Sequence, residues 1–152
     1  MLNNIIHDSH FADVMQNNIQ EMMIHFFEKN INFGILCKIE DVSFNPELPE
    51  DINTAFHPMT LFFLAGYTFD TARIVEDDLL FEAGFGTDNF GSVTTVPLLS
   101  IMQIIIDETP VLINLSTYKK DMQSVINEDD NIGVENSMNS FLSNPENSKF
   151  IK

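Results

Sequence analysis

The sequence predicts an α+β domain in which an N-terminal amphipathic helix packs on a mostly antiparallel β domain, with a short second helix and a disordered C-terminal tail. One apolar helical stripe near the start, several strands in series, and a change of composition after residue 116 carry this prediction. Strands in series favour antiparallel pairing because parallel strands need long crossover connections. We expect a domain over residues 1–116 and a tail over 117–152.

The first element is a helix from about Phe11 to Lys29, in which apolar side chains recur at three- and four-residue steps. Asp8 or Ser9 can cap its start, and Asn30 suits its end. Two interpretations of the apolar stripe remain open, because it can pack on its own domain or be shared with a second subunit. The second interpretation predicts a homodimer interface that contains Met15, Ile19, Met22 and Phe26.

Alternation of apolar and polar residues predicts the strands. The first runs from Phe33 to Ile39, and the second, from Met59 to Tyr67, is apolar on both faces and is therefore expected to be central. A third strand alternates from Leu79 to Phe85, and a hairpin-like connection leads from it to a fourth, Ser92 to Val96.

The second helix is predicted to follow Pro97, because proline is tolerated in the first turn of a helix. It runs from Leu98 to Ile106 and is almost wholly apolar, so we expect it to be buried. A last short strand spans Val111 to Leu115. Six Asn and five Ser fall between Gln123 and Lys152 without a sustained apolar period, which predicts a disordered tail.

The charge of the chain limits its partners. Its net charge is −16, and residues 1–116 hold 17 acidic and three basic side chains, a net −14. Such a surface repels nucleic acid and anionic membranes, so neither is an expected partner. The first residues lack the basic region of a signal peptide, no run is long enough to span a membrane, and a single cysteine excludes an internal disulfide. These features favour the cytoplasm.

The sequence contains no recognisable catalytic, cofactor or metal motif. Its four histidines lack metal-ligand spacing, and the glycines around Phe85 do not form a phosphate-binding loop because no lysine accompanies them. Cys37 lies on a predicted buried strand face, where a small core residue is a better interpretation than a nucleophile. We therefore expect no enzyme activity, no cofactor and no metal.

Two segments carry a family resemblance. Leu79-Leu80-Phe81-Glu82-Ala83-Gly84-Phe85-Gly86 leads through a short connection to Val93-Thr94-Thr95-Val96-Pro97-Leu98. This order resembles the central signature of the stringent starvation protein B family, most closely its alpha-proteobacterial form, and the similarity covers roughly residues 11–116. The connection departs from the family pattern. The corresponding turn of the family usually holds proline and a basic residue, whereas residues 87–92 contain neither, and the connection is about two residues longer than that turn.

The resemblance implies a function as a proteolysis adaptor. Members of that family have an Sm-like β domain, form dimers, and bind the ssrA peptide tag carried by proteins from stalled ribosomes. Their tail ends in a peptide that docks on the N-terminal domain of the ClpX unfoldase and so delivers tagged proteins to the ClpXP protease. The resemblance places that docking peptide at Lys149, Phe150, Ile151 and Lys152, although a basic, apolar terminus of this length can also be incidental.

The resemblance also implies a groove for the tag peptide. Its residues are Leu64, Ala65 and Tyr67 on one side, Phe81, Ala83, Phe85 and Gly86 on the other, and Val93 at the turn. The two phenylalanines have an alternative interpretation as ordinary core residues, whereas the small side chain of Ala83 favours close approach of a peptide. Two other functions remain open: an enzyme subunit that uses the loop between Phe85 and Val93, or an Sm-like assembly protein that binds peptide or RNA without a protease role.

Overall fold

The computed structural model describes residues 1–117 and contains four α-helices and eight strands in that range. The helices are α1 (Leu2–Ile6), α2 (Ser9–Lys29), α3 (Glu50–Asn53) and α4 (Gly66–Thr71). The strands are β1 (Phe33–Lys38), β2 (Ser43–Asn45), β3 (Met59–Leu64), β4 (Arg73–Val75), β5 (Asp78–Phe85), β6 (Phe90–Pro97), β7 (Ile101–Ile106) and β8 (Thr109–Ile113). Two short 3-10 helices span Ile39–Asp41 and Leu98–Ser100. The α+β class is thus confirmed.

Helix α2 is the predicted N-terminal helix, and local hydrogen bonds define both of its ends. The Asp8 carboxylate accepts a hydrogen bond of 2.8 Å from the Phe11 amide, which caps the first turn. At the other end Asn30 adopts a left-handed conformation with φ of 56°, as is common in residues that terminate helices. The buried side of the helix contributes Ile19, Met23 and Phe26 to the core.

The strands form two antiparallel sheets of four, in the orders β3-β1-β7-β8 and β2-β6-β5-β4. We call them the first and the second sheet. Their inner faces meet in the core, where the ring centroids of Phe62 on β3 and Phe81 on β5 lie 5.7 Å apart. The buried apolar cluster comprises Ile19, Met23, Phe26, Phe33, Ile35, Cys37, Phe62, Leu64, Leu79, Phe81, Val96, Leu98, Ile101 and Ile104.

The predicted second helix is present only as one short turn, and this corrects its expected extent. The chain is helical over Leu98–Ser100, but Ile101–Ile106 forms β7 and pairs with β1 and β8. Four of those six residues are isoleucines, whose branched side chains favour strands. A strand that is apolar on both faces has no alternation of apolar and polar residues, so its pattern is the same as that of a short buried helix.

The strand predicted to run to Tyr67 is also shorter than expected. Strand β3 ends at Leu64, and Gly66, whose φ is +59°, opens helix α4. It is an edge strand of the first sheet and not a central one, because it pairs only with β1. The predicted last strand is displaced by two residues, to Thr109–Ile113. The predicted tail lies outside the described residues, apart from Thr117.

Thr94 provides a test of the core. It lies on the inner face of β6, is fully buried, and its hydroxyl has no hydrogen-bond partner. We expect Thr94→Val to raise the free energy of unfolding by about 1 kcal/mol, because an unpaired buried hydroxyl is replaced by a methyl group. Urea denaturation measures the change.

Ser92 is the matched control for this substitution. It lies two residues earlier on the same face, and its hydroxyl donates a hydrogen bond of 2.9 Å to the Pro46 carbonyl. Ser92→Ala should therefore lower the free energy of unfolding. Destabilisation by both variants would show that the Thr94 hydroxyl has a bonding role.

Candidate functional site

One half of strand β5 has a free edge. Strand β6 pairs with β5 along its whole length, from Asp78 to Phe85, but β4 pairs only with Asp78–Leu80. Within residues 1–117 no strand lies beside Phe81–Phe85 on the β4 side. An incomplete edge of this kind can accept an extended peptide as an additional strand.

A hydrogen bond to helix α4 shows the direction in which the backbone groups of this edge point. The Glu82 amide donates a hydrogen bond of 2.9 Å to the hydroxyl of Thr71, the last residue of α4, and therefore points away from β6. Backbone groups of a strand alternate in direction with a period of two residues. The amide and carbonyl of Gly84 thus point toward the same free edge.

Tyr67 on α4 lies at this edge as well. Its side chain is 67% exposed, and its hydroxyl donates a short hydrogen bond to the Glu82 carboxylate. This bond and the negative charge of Glu82 raise the pKa of the Tyr67 phenol above its ordinary value of 10.0. The phenol can donate this hydrogen bond only while it is protonated. The bond is therefore present when the pH is below the ordinary pKa of tyrosine, and it is lost as the pH rises through the raised pKa of Tyr67. Tyr67, which was predicted to lie on a strand, is therefore placed by α4 next to Glu82 on β5.

The predicted groove residues differ in how much of their surface is available. Leu64 and Phe81 are fully buried in the hydrophobic core and have no surface available to a peptide. Ala65, Ala83 and Phe85 are half-buried, and Tyr67 and Gly86 are exposed.

Val93 lies on the other face of the second sheet from Ala83. It pairs with Glu82, and residues opposite each other in a sheet share a face, whereas Ala83 pairs with Ser92. Val93 therefore does not line the same surface as Ala83 and Phe85.

A cavity of about 630 Å³ lies at the end of this edge, where Phe85 and Gly86 meet helix α3. Gly86 has a φ of +76°, and a Cβ atom there would lie 2.7 Å from Cδ1 of Ile52. A side chain at this position would therefore disturb the wall of the cavity. The cavity is lined by Pro49, Asp51, Ile52, Ala55, Phe56, Phe85, Gly86, Thr87, Asp88 and Phe90.

The side chain of Asn89 fills the space above Gly84. Asn89 lies in the turn between β5 and β6, and its side chain occupies the space above Gly84, where Oδ1 is 1.8 Å from the position that a Cβ atom would take. A larger residue at Gly84 would displace Asn89. The conformation of the turn between β5 and β6 therefore depends on a glycine at this position of β5.

Sequence patterns did not identify Thr71, Glu82 or Ile52 as site residues. Glu82 alternates away from the apolar face of β5 and is typical of a solvent-facing position. Thr71 and Ile52 belong to short helices with no apolar period of their own, and only long-range packing brings them to β5. The Tyr67 hydroxyl was the signal that could have indicated a polar partner on the neighbouring strand.

The helix stripe predicted as a dimer interface lies mostly inside the domain. Ile19 is fully buried and Phe26 is 7% exposed, while Met15 and Met22 are partly buried against the same core. This arrangement agrees with the first of the two interpretations of the stripe, in which the helix packs on its own domain. Neither Ile19 nor Phe26 has surface available for a partner.

Cys37 has the properties of a core residue. Burial raises the pKa of its thiol to about 12, with a smaller contribution from the negative charge of Asp41. The side chain is fully buried and therefore protonated at neutral pH, when a nucleophile would need the thiolate. Among residues 1–117, no three metal-ligating side chains converge. No helix in this range has the length and hydropathy that crossing a membrane requires.

Comparison with known proteins adds no assignment. No protein-family model matches the chain, and no curated protein matches it.

Proposed function

We propose that the chain is a cytoplasmic proteolysis adaptor that binds the ssrA tag of ribosome-rescued proteins and delivers them to the ClpXP protease. The observation that carries the proposal is the edge of β5 beyond Glu82, over Ala83–Phe85, which no strand within residues 1–117 covers and which contains the small residues Ala83 and Gly84. An edge of this kind binds a peptide through its backbone and needs no catalytic group.

The tag peptide adds to this edge as a strand. The amide and carbonyl of Gly84 pair with its backbone, and the short side chain of Ala83 leaves room for peptide side chains on the inner side. The cavity at Phe85 and Gly86 is largely apolar and accepts an apolar side chain of the peptide. The Glu82 carboxylate and the Tyr67 hydroxyl oxygen provide hydrogen-bond acceptors at the other end of the edge.

A fluorescence titration tests peptide binding. A labelled ssrA peptide should give a saturable rise in anisotropy with one site per chain, whereas the same residues in reversed order and a labelled oligonucleotide should give none. Binding of the oligonucleotide instead would favour the Sm-like assembly protein. Binding of the peptide without faster degradation by ClpXP would favour a peptide-binding protein with no protease role.

Delivery depends on the C-terminal docking peptide, Lys149–Lys152, which lies outside the described residues. Deleting these four residues should leave peptide binding unchanged and should remove the stimulation of ClpXP at low substrate concentration. The reason is that a docking peptide contributes only tethering, which raises the local concentration of substrate at the unfoldase by mass action. Degradation of a tagged fluorescent protein measures the effect.

The matched control is a chain in which Lys149 and Lys152 are retained and the order of Phe150 and Ile151 is reversed, so that charge and composition are unchanged. If the four-residue deletion stimulates ClpXP as well as the full chain does, the docking element lies elsewhere. Phe141-Leu142 is then the next segment to delete.

A further inference from the structure

The cavity at the end of the β5 edge is lined by negative charge without positive charge. Asp51, in the first turn of α3, and Asp88, in the turn between β5 and β6, both line it, and both are exposed. Among the described residues, none of the ten that line the cavity is basic, so the lining supplies no counterion. The two carboxylates are therefore available to a cation that comes from outside the domain.

The strands of the second sheet do not supply this cation either. Their one basic residue within the described chain is Arg73 on β4, which pairs with Leu80. Leu80 lies five residues before Phe85 on β5, a separation of about 16 Å at a rise of about 3.3 Å per residue. The Arg73 guanidinium also donates a hydrogen bond of 2.8 Å to the Thr71 carbonyl, which holds it at the other end of the strand.

Phenylalanine rings form much of the apolar wall of the cavity. The ring centroids of Phe56 and Phe85 lie 6.2 Å apart, with their planes at 86°. Phe44 packs on both, with its centroid 5.7 Å from that of Phe56 and 5.4 Å from that of Phe85. These contacts fix the two lining rings, which are nevertheless only half-buried. A fixed aromatic ring attracts a cation through the negative charge of its faces.

Carboxylates and aromatic rings together restrict the chemistry of the ligand. A wholly apolar side chain would contact the rings but would leave the two carboxylates partly desolvated without a partner, which is unfavourable. A side chain with an apolar stem and a cationic end satisfies both kinds of group. Arginine fits better than lysine, because its planar guanidinium stacks on aromatic rings and donates two parallel hydrogen bonds to a carboxylate.

The size of the cavity agrees with a long side chain. Its volume of about 630 Å³ lies within the range of about 300–1,000 Å³ that is typical of pockets for whole small ligands. A fully extended arginine side chain can therefore enter it.

We infer that the cavity binds an arginine side chain of the peptide, with the methylene stem on Phe56 and Phe85 and the guanidinium at Asp51 and Asp88. The inference rests on the proposed function for the origin of this side chain, because a peptide that pairs with Gly84 continues to Phe85 and Gly86 at the cavity. The chain then selects peptides that carry arginine at the position that meets the end of β5.

Two sets of labelled ssrA peptides test the inference by anisotropy. Each residue in turn is replaced by arginine in the first set and by citrulline, an uncharged side chain of the same length and shape, in the second. At one position the arginine peptide should bind about tenfold more tightly than the citrulline peptide, since partly exposed ion pairs and an aromatic contact act together. The double variant Asp51→Asn/Asp88→Asn should remove this difference.

The matched control is Glu47→Gln/Glu50→Gln, which changes the net charge by the same amount. Both glutamates are exposed and lie close to Asp51 in the chain, but they do not line the cavity. This control should keep the preference for arginine. Equal affinities of the two peptide sets at every position would overturn the inference, and so would a preference that Asp51→Asn/Asp88→Asn leaves intact.

A titration with n-butylguanidinium separates this inference from the proposed function. The amide chemical shifts of Gly86 and Asp88 should change with n-butylguanidinium and not with n-butylurea, its uncharged analogue, whether or not a peptide binds. If n-butylguanidinium binds and none of the peptides does, peptide binding fails and the cavity remains a site for a guanidinium group. Unchanged shifts at both residues would overturn the inference, even if a peptide binds at the β5 edge.

Discussion

Replacing Phe81 with alanine is expected to lower the free energy of unfolding by about 3–5 kcal/mol, the usual cost of removing a buried aromatic side chain. Phe81 is fully buried on the inner face of β5, and its ring lies 5.7 Å from that of Phe62 on the opposite sheet. A domain of this size is stable by only about 5–15 kcal/mol, so the loss is a large share of the total. Urea denaturation, with far-ultraviolet circular dichroism as the probe, measures it.

Ile24→Ala is the control for this substitution, because Ile24 lies on α2 and is 38% exposed. It should cost less than about 1 kcal/mol. An unchanged urea midpoint in Phe81→Ala, with loss of peptide binding, would instead identify Phe81 as a residue of the peptide groove. The experiment thus separates the two interpretations that the sequence leaves open for this side chain.

Replacing Ala83 with glutamine is expected to abolish binding of the ssrA peptide while the domain stays folded. Ala83 is half-buried on the half of β5 that has a free edge, so a long side chain there would fill the space that the peptide needs. Anisotropy titration and a thermal melt on the same sample measure binding and folding together. Unchanged affinity would show that the peptide does not approach Ala83.

Gly91→Gln is the matched control for Ala83→Gln. Gly91 lies on the neighbouring strand β6, and a Cβ atom there meets nothing within 4 Å, so the same side chain is introduced without a clash. It should leave both the melting temperature and the affinity unchanged. If Ala83→Gln lowers the melting temperature well below that of the control, Ala83→Ser, which adds only one atom, should still weaken binding.

The sequence was sufficient to predict the elements that have one apolar face and one polar face. The stripe from Phe11 to Lys29 and the alternation from Leu79 to Phe85 gave α2 and β5 to within two residues. The segment Ile101–Ile106 was wrongly predicted as helix because both of its faces are apolar. Helix α4 was missed because the sequence shows no change in hydropathy where β3 ends and α4 begins. The change of direction there is made by Gly66, which adopts a left-handed conformation.

The site could be predicted only in part, because its residues come together through long-range pairing. Tyr67 and Ala83 were named from the resemblance, and α4 does lie against β5. Val93 lies on the opposite face of the sheet from Ala83, because the register pairs Val93 with Glu82. A register shifted by one residue would place Val93 on the same face as Ala83. The hydrogen bond between Thr71 and Glu82 joins residues 11 positions apart, and no local pattern indicates it.

The most direct test of the adaptor function is the rate at which ClpXP degrades an ssrA-tagged fluorescent protein as the substrate concentration is varied. With the full chain present, we expect a lower KM and an unchanged maximum rate, because tethering concentrates substrate without altering the unfolding or cleavage steps. The same fluorescent protein without the tag should show no effect. An identical KM with and without the chain would contradict the adaptor function, even if the peptide binds at the β5 edge.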